Sequence, residues 1–316
     1  VKISTGNLVV SERPVINIIC GPTASGKTGV AVSLAEKFAV EVVSADSRQM
    51  IRHLDVGTAK PTPDECNKVR FHLVDIIEPG ERYSAFRFME QANAAIGEIL
   101  ARGNMPLVVG GTGLYLRALT EGVVEIDEND MEVRSRLEAE MEEFGPEEMH
   151  RRLETIDPLE AAGVHPNNKV RIIRALELFY LTGKCKSELV TTGAYKKAEY
   201  SFEYHCLLPE REKLYERING RVDEMMATGL LDEVKTLMAR GFGQGLRRAR
   251  VIGYAELLDH IEKKCSLEEA VSLIKQNTRR YAKRQLTWFR RQMEGEYYES
   301  REQMLLVLGK RLAENA

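Results

Sequence analysis

Three short segments of this 316-residue chain carry residues suited to chemistry, and each follows an apolar run. In the first, Gly21-Pro22-Thr23-Ala24-Ser25-Gly26-Lys27-Thr28 fits G-x-x-x-x-G-K-[ST] at every position. Glycines let the backbone curl until its N–H groups converge on an anion, and a helix start adds positive potential. Lys27 supplies a point charge between phosphates, and Thr28 a hydroxyl ligand for Mg2+. The pattern predicts a polyphosphate or diphosphate site. It leaves two chemistries open: attack at phosphorus, as in a kinase, or departure of a diphosphate from carbon. No apolar strand ends in the Asp-Glu pair of motor ATPases.

The second segment, Val42 to Gln49, puts Asp46 just past an apolar run. Ligands of open parallel sheets gather at the carboxyl ends of the strands, so Asp46 and the phosphate loop are expected to face one cleft. A carboxylate there either accepts a proton from an attacking group or holds Mg2+ through water. The plain structural alternative is a helix cap. Ser47 and Gln49 fit hydrogen bonds to a base edge or sugar, or ordinary turn roles. Lys60, in the polar loop Asp55 to Pro61, either touches phosphate or faces solvent. The third segment is Gly110-Gly111-Thr112-Gly113, where glycines permit close backbone approach and Thr112 presents a hydroxyl or caps a helix. Tyr115 is expected to pack rather than stack on a ligand.

These loops need a scaffold of alternating strands and helices. Apolar, β-branched runs predict strands at 15–20, 42–45, 71–76, 106–109 and 204–208, with a late one at Met304–Leu308. Helical spacing predicts helices at 27–38 and 84–102. Strand–helix alternation implies an α/β fold, a phosphate-loop-type parallel sheet covered by helices on both faces. From about 121 the chain turns acidic and helical, with helices expected at 130–144, 147–154 and 167–182, punctuated by Pro146, Pro158 and Pro166. Three regions follow: residues 1–120 as the first part of the core, 121–200 as a helical insertion, and 201–316 as the rest of the core with a basic helical end. Residues 1–14 read as a loose leader or an edge addition.

Hydrophobic residues at 43% and charged residues at 29% are globular values that argue against disorder or a coiled coil. The formal net charge of -3 gives no general affinity for nucleic acid, but the charge is uneven. Residues 121–160 hold fifteen acids and four bases, whereas 271–292 hold seven bases and no acid. Five scattered cysteines fit neither a disulfide framework nor a zinc cluster. No run reaches the length of a membrane span and no secretory pattern is present, so a cytoplasmic setting is the expectation.

Together the motifs resemble the bacterial tRNA dimethylallyltransferases, also called tRNA isopentenyltransferases. The matching text is GPTASGKT at 21–28, ADSRQMIRHLDVGTAKP at 45–61, FHLVDI at 71–76 and GGTGLY at 110–115. VRIIRALELFYLTGK at 170–184, RINGRVDEMMATGLLDEV at 217–234, RVIGYAEL at 250–257 and RRYAKRQLTWFR at 279–290 continue it nearly to the end of the chain. The resemblance implies transfer of a dimethylallyl group from its diphosphate to N6 of adenosine 37 in tRNA, with Mg2+ and loss of diphosphate. It implies Asp46 as general base, Thr112 near the reacting nucleotide, Lys27 and the loop 21–28 on the diphosphate, Thr28 at the metal, and Arg221 as a second clamp. It also implies tRNA contacts at Asp46, Ser47, Arg48, Gln49 and Thr112, at Lys169, Val170, Arg171, Ile172 and Ile173, and at Gln285. The partners are then tRNA and dimethylallyl diphosphate, met by a monomer without membrane association.

With RNA as partner, the basic run gains a role. Arg279, Lys283 and Arg284 fall near one helical face and would meet phosphates; otherwise they form a solvated surface. Trp288 is expected in the core, and the acids of 121–160 in solvent. Met50-Ile51-Arg52 departs from the family's Val-Tyr-Arg, which removes a phenol but spares Asp46 and the phosphate loop. Two other functions share the loop: an ATP-dependent nucleoside or small-molecule kinase, and a nucleotide-regulated RNA-binding protein without transfer chemistry.

Overall fold

The computed structural model describes residues 13–124, 131–191 and 200–314. Most of the expected leader, residues 1–12, lies outside the described residues. The chain divides into two compact units, Val1–Thr120 with Glu199–Ala316, and Glu121–Ala198.

The first unit is built on six parallel strands: β1 (Val15–Cys20), β2 (Val40–Ala45), β3 (Phe71–His72), β4 (Met105–Gly110), β5 (Ser201–Leu207) and β6 (Glu296–Tyr298), in the order β3-β2-β4-β1-β5-β6. The central strands are mostly apolar because helices cover both faces, so no alternating solvent face exists, and their polar residues Asn17, Glu41 and Ser44 are themselves buried. On one face α1 (Lys27–Ala35) and α14 (Arg301–Glu314) pack through Val30, Leu34, Met304, Leu308 and Leu312. The opposite face carries α3 (Ala85–Ala101), α4 (Gly113–Glu121), α9 (Arg211–Ala227), α10 (Leu230–Ala239), α11 (Gly243–Ala249), α12 (Tyr254–Ile261) and α13 (Leu267–Gln292) around Phe88, Ile96, Ile218, Tyr254 and Phe289. A short α2 (Pro63–Lys68) precedes β3.

Local chemistry sets these elements' limits. Ser84 caps α3 by accepting from Arg87 N–H, and Ser266 with Glu269 forms a capping box at α13. The strand expected over 71–76 stops at His72, since Leu73 and Asp75 take the left-handed region at φ 61° and 56°. The expected late strand at Met304–Leu308 is helical. Met304, Leu308 and Leu312 recur every four residues and are buried, whereas Leu306 is exposed, which is a helix's pattern. The three residues of β6 escape sequence reading altogether, being too short for periodicity to register.

The second unit contains α5 (Met131–Ile156), α6 (Pro158–Ala162), α7 (Lys169–Thr182) and α8 (Lys186–Thr191). Gly145, at φ 78° and ψ 168°, breaks α5 just before Pro146, so the expected pair of helices is realised as two segments. Leu137, Met141, Met149, Leu153, Ile172 and Leu176 form its core. Asn168 caps α7 through Arg171 N–H. Most described acids of this stretch, Glu132, Glu138, Glu142, Glu143, Glu147 and Glu154 among them, are exposed as expected.

Register places the site. Ala45 pairs with Gly110, Gly110 with Cys20, and Cys20 with Cys206, so four strand ends stand in one row. Gly21, Asp46 and Gly111 follow at the same edge. All five cysteines are free, Cys20 and Cys206 meeting as buried thiols.

At the other end of β2, Glu41 anchors the strand from a buried position. It accepts from Arg102 Nε at 3.0 Å and Nη2 at 2.9 Å, from Asn104 Nδ2 at 2.7 Å, and lies 2.7 Å from His72 Nε2. The Arg102 hydrogen bonds, outweighing burial, hold its carboxyl at about 2. The folded value lies below the unfolded one, so this stabilisation is present above about pH 4.3 and is lost as pH falls toward 2. Urea melts of Glu41→Gln and wild type should differ by about 2–3 kcal/mol at pH 7, and the difference should shrink below about pH 4 and close only near pH 2.

Candidate active site

The phosphate loop runs from the end of β1 to the first turn of α1. Ala24 takes φ 60° and Gly26 φ 102°, backbone strain of a kind stored at ligand-gripping loops. Lys27 starts α1, and its Nζ donates to Pro22 O at 2.7 Å, curling back over the loop. Burial lowers Lys27 to about 8; Asp46 opposes the shift and Arg221 adds to it. Arg221, from the middle of α9, is also lowered by burial, with Asp46 again opposing. Two cations therefore flank one carboxylate.

Asp46 accepts from Arg48 N–H at 2.8 Å, which closes a turn rather than capping a helix, since the next helix begins at Pro63 with Thr62 as its cap; the same side chain lines the cleft. The β4 loop is tied to the β2 loop through Thr112. Its N–H donates to Ala45 O, and its Oγ1 accepts from Ser47 N–H at 2.9 Å. Gln285, buried on α13, joins this pair to the phosphate loop: Oε1 accepts from Thr23 N–H and Nε2 donates to Gly111 O, both at 2.9 Å. Glycine is required in the β4 loop because a Cβ at Gly111 would lie 2.5 Å from Gln285 Nε2, and one at Gly113 2.5 Å from the Trp288 ring.

Two adjoining cavities open here. The larger, about 390 Å3, is bounded by Gly26, Lys27, Thr28, Arg217 and Arg221 together with Ser44 and Gln49. The smaller, about 210 Å3, has an apolar wall of Ile218, Val222, Met225, Leu230, Val251 and Ile274 and a polar wall of Arg48, Tyr281, Arg284 and Gln285. Thr23, Ala24, Lys27, Asp46, Thr58 and Arg221 line both. One cleft thus joins an anion end to a half-apolar end, with Asp46 at the junction. Among the described residues no cluster of three or more His, Cys, Asp or Glu suits a metal ion.

Comparison with known proteins decides what this cleft belongs to. Residues 49–292 match the family model described as IPP transferase, and 14–77 that of isopentenyl transferase. The tRNA dimethylallyltransferase 1 of Pelobacter propionicus is 48% identical over 295 residues, 93% of this chain and 96% of that protein. The crystal structure of the full-length tRNA isopentenylpyrophosphate transferase of Bacillus halodurans superposes with a TM-score of 0.67 at 39% identity, covering 96% of this chain and 98% of that one. A eukaryotic dimethylallyltransferase acting on tRNA gives 0.75 at 31% identity, covering 87% of this chain and 69% of that one. This chain belongs to the tRNA dimethylallyltransferase family.

Within this family member, the structure gathers Lys27, Thr28, Asp46, Arg48, Gln49, Arg221, Arg284 and Gln285 on one cleft. Gln49 spends its amide internally, donating to Ala59 O and accepting from Ser44 Oγ. Lys60 meets neither alternative expected for it: it is buried between Asp55 and Asp75. Of 169–173, Ile172 and Ile173 face their own unit's core, and only Lys169, Val170 and Arg171 are exposed. Arg279 packs on α9, donating to Asn219 Oδ1 at 2.5 Å, and Lys275 pairs with Asp223 at 2.6 Å. The exposed bases of α13 are Arg280, Lys283, Arg284, Arg290 and Arg291. Trp288 packs against Gly113 and edge-on to Phe289, while Tyr115 stacks on Phe88 at 4.5 Å, so both pack as expected.

Sequence reading missed Arg217, Thr58 and Tyr281. Arg217 sits one helical turn before Arg221 and was legible from that spacing. Tyr281, pushed up to about 12 by burial and then Asp46, lines the smaller cavity. Only tertiary contact identifies it.

Lys27 is charged below about pH 8 and neutral above it, so its attraction for an anion fades as pH rises. Calorimetric titration with inorganic diphosphate should show affinity flat from pH 6 to 7.5 and falling above 8, with the slope absent in Lys27→Met.

Proposed function

We propose that this enzyme transfers a dimethylallyl group from dimethylallyl diphosphate to N6 of adenosine 37 in tRNA, releasing diphosphate. The observation carrying the reading is the joined cleft, cationic and loop-lined at one end, half-apolar at the other, with a carboxylate between. The tRNA dimethylallyltransferase and tRNA isopentenylpyrophosphate transferase relatives, matched over nearly their whole length, support it.

In this reading the diphosphate lies along the phosphate loop with Lys27, Arg217 and Arg221 around it. The Thr28 hydroxyl would hold Mg2+, an oxygen donor that fits an ion which keeps most of its water and binds few protein groups. When bound, Mg2+ neutralises charge on the leaving group. The chain's own cations and loop N–H groups do the same at fixed positions, without reorganisation as charge grows. The C1–O bond breaks as N6–C1 forms, and the N6 proton passes to Asp46. Asp46 need not deprotonate a neutral aryl amine beforehand, because the amine acidifies as its nitrogen is alkylated. Thr112, held by Ser47, would face the nucleotide, and Arg48 and Gln285 would border it. An anticodon-loop adenine costs less to extrude than a duplex base, where the cost is a few kcal/mol.

RNA phosphates would meet Arg280, Lys283 and Arg284 on α13, and Lys169 and Arg171 in the second unit. A kinase reading gives these surfaces no role.

The direct test is mass analysis of unmodified tRNA after incubation with enzyme, Mg2+ and dimethylallyl diphosphate. A gain of one C5H8 unit at a single adenosine is expected; unchanged RNA mass overturns the reading. Asp46→Ala should bind tRNA but transfer about 10²–10⁴ more slowly. Replacing Arg280, Lys283 and Arg284 jointly by Ala should weaken binding to every tRNA tested and flatten the log Kd against log salt slope by roughly 2.

A further inference from the structure

One carboxylate outside the cleft is distinguished by what it holds. Glu233, in the first turn of α10, lines neither cavity, yet backbone donors of the loop after Leu54 surround it. Its Oε2 accepts from the N–H groups of Asp55 at 3.0 Å and Val56 at 2.9 Å; its Oε1 accepts from Gly57 N–H at 3.4 Å and the Tyr254 hydroxyl at 2.5 Å. Consecutive N–H groups converging on one anion make a nest of the kind that grips phosphate in other proteins. Here the chain supplies the anion itself.

The fit is close. A Cβ at Gly57 would lie 2.5 Å from the Tyr254 ring, so only glycine lets the loop settle there. Tyr254 is fully buried, and burial, then Glu233, pushes its phenol far above the ordinary range, keeping it a donor. On the other side of the loop Gln49 Nε2 holds Ala59 O, and Lys60 bridges Asp55 and Asp75. The surface the loop then presents to the cleft is Gly57 in the smaller cavity and Thr58 in both, beside Asp46 and Lys27.

We infer that Glu233 is a positioning residue for the transfer: by filling the 55–57 nest it fixes the Gly57–Thr58 wall at the junction where the reactants meet. It touches neither reactant. This rests on the prenyl-transfer reading above, and its effect falls on the geometry of the reacting pair rather than on capture of tRNA.

The test uses the full chain, with wild-type transfer measured in parallel, so that failure of the wild type reports on the function and not on Glu233. Glu233→Ala should lower kcat by roughly ten- to a hundredfold, the scale of a small misplacement, and leave the tRNA Kd unchanged. Added formate should restore a saturable part of kcat by occupying the emptied nest, with no gain for wild type. Should the Ala variant not fold, Glu233→Gln keeps the volume but replaces an acceptor oxygen by NH2; its kcat should fall and the amides of residues 55–57 should exchange faster with deuterium. Wild-type kcat in a folded variant, a loss in Glu233→Ala that formate leaves untouched, or unaltered amide exchange in Glu233→Gln overturns the inference.

Discussion

Two cations withdrawn from water beside Asp46 are the constraint on which this site depends. Burial disfavours the charged forms of both Lys27 and Arg221, and Arg221 adds to the difficulty at Lys27; Asp46 opposes both shifts, joined at Arg221 by Glu224 and Glu65. Such a group of charges is held by covalent and packing constraints rather than by its own attraction. Lys27 is locked by the start of α1, Asp46 by the end of β2, and Arg221 by an α9 whose Ile218 and Val222 are sunk in the core. An anion in the larger cavity would supply further negative charge, so in the proposed reading the fold's stored electrostatic cost becomes a source of diphosphate affinity.

The same logic governs the neutral ties. Gln285 and Thr112 make few hydrogen bonds, but those bonds join three loops that come from different strands. Loops moving independently would average out any alignment of leaving group, carbon and base. Fastened together, and backed by Trp288 against Gly113, they behave as one wall. The long α13 accordingly serves two purposes along its length. Its inner face, with Gln285 and Tyr281, borders the cleft, and its outer face presents Arg280, Lys283 and Arg290 to solvent.

Much of this was legible before any coordinates. The strand Val15–Cys20 reads out residue for residue because it is a short, β-branched run buried from Ile16 onward, with Asn17 its one polar residue. Ser84 and Ser266 mark helix starts by chemistry that acts within three residues. Errors appeared where the deciding contact was remote. Met304–Leu308 looks extended as a bare apolar run, and only packing on α1 shows that every fourth residue matters. Lys60 could not be assigned because its partner Asp75 lies 15 positions away across a left-handed bend. Arg279 and Lys283 are near neighbours on one helix, yet α9 claims the first and leaves the second exposed.

By itself the sequence determined the parallel α/β sheet, the phosphate loop, the acid after β2 and the resemblance that names the family, because these depend on spacing within a few residues or on whole-chain likeness. The tertiary structure alone decided which polar groups are spent internally and which remain for reactants. Glu233, Gln285 and Gln49 are chemically as able to bind a ligand as Asp46 or Arg221. What separates them is whether a backbone donor or acceptor from a distant segment has already taken up their hydrogen-bonding capacity, and that follows from how the chain closes on itself.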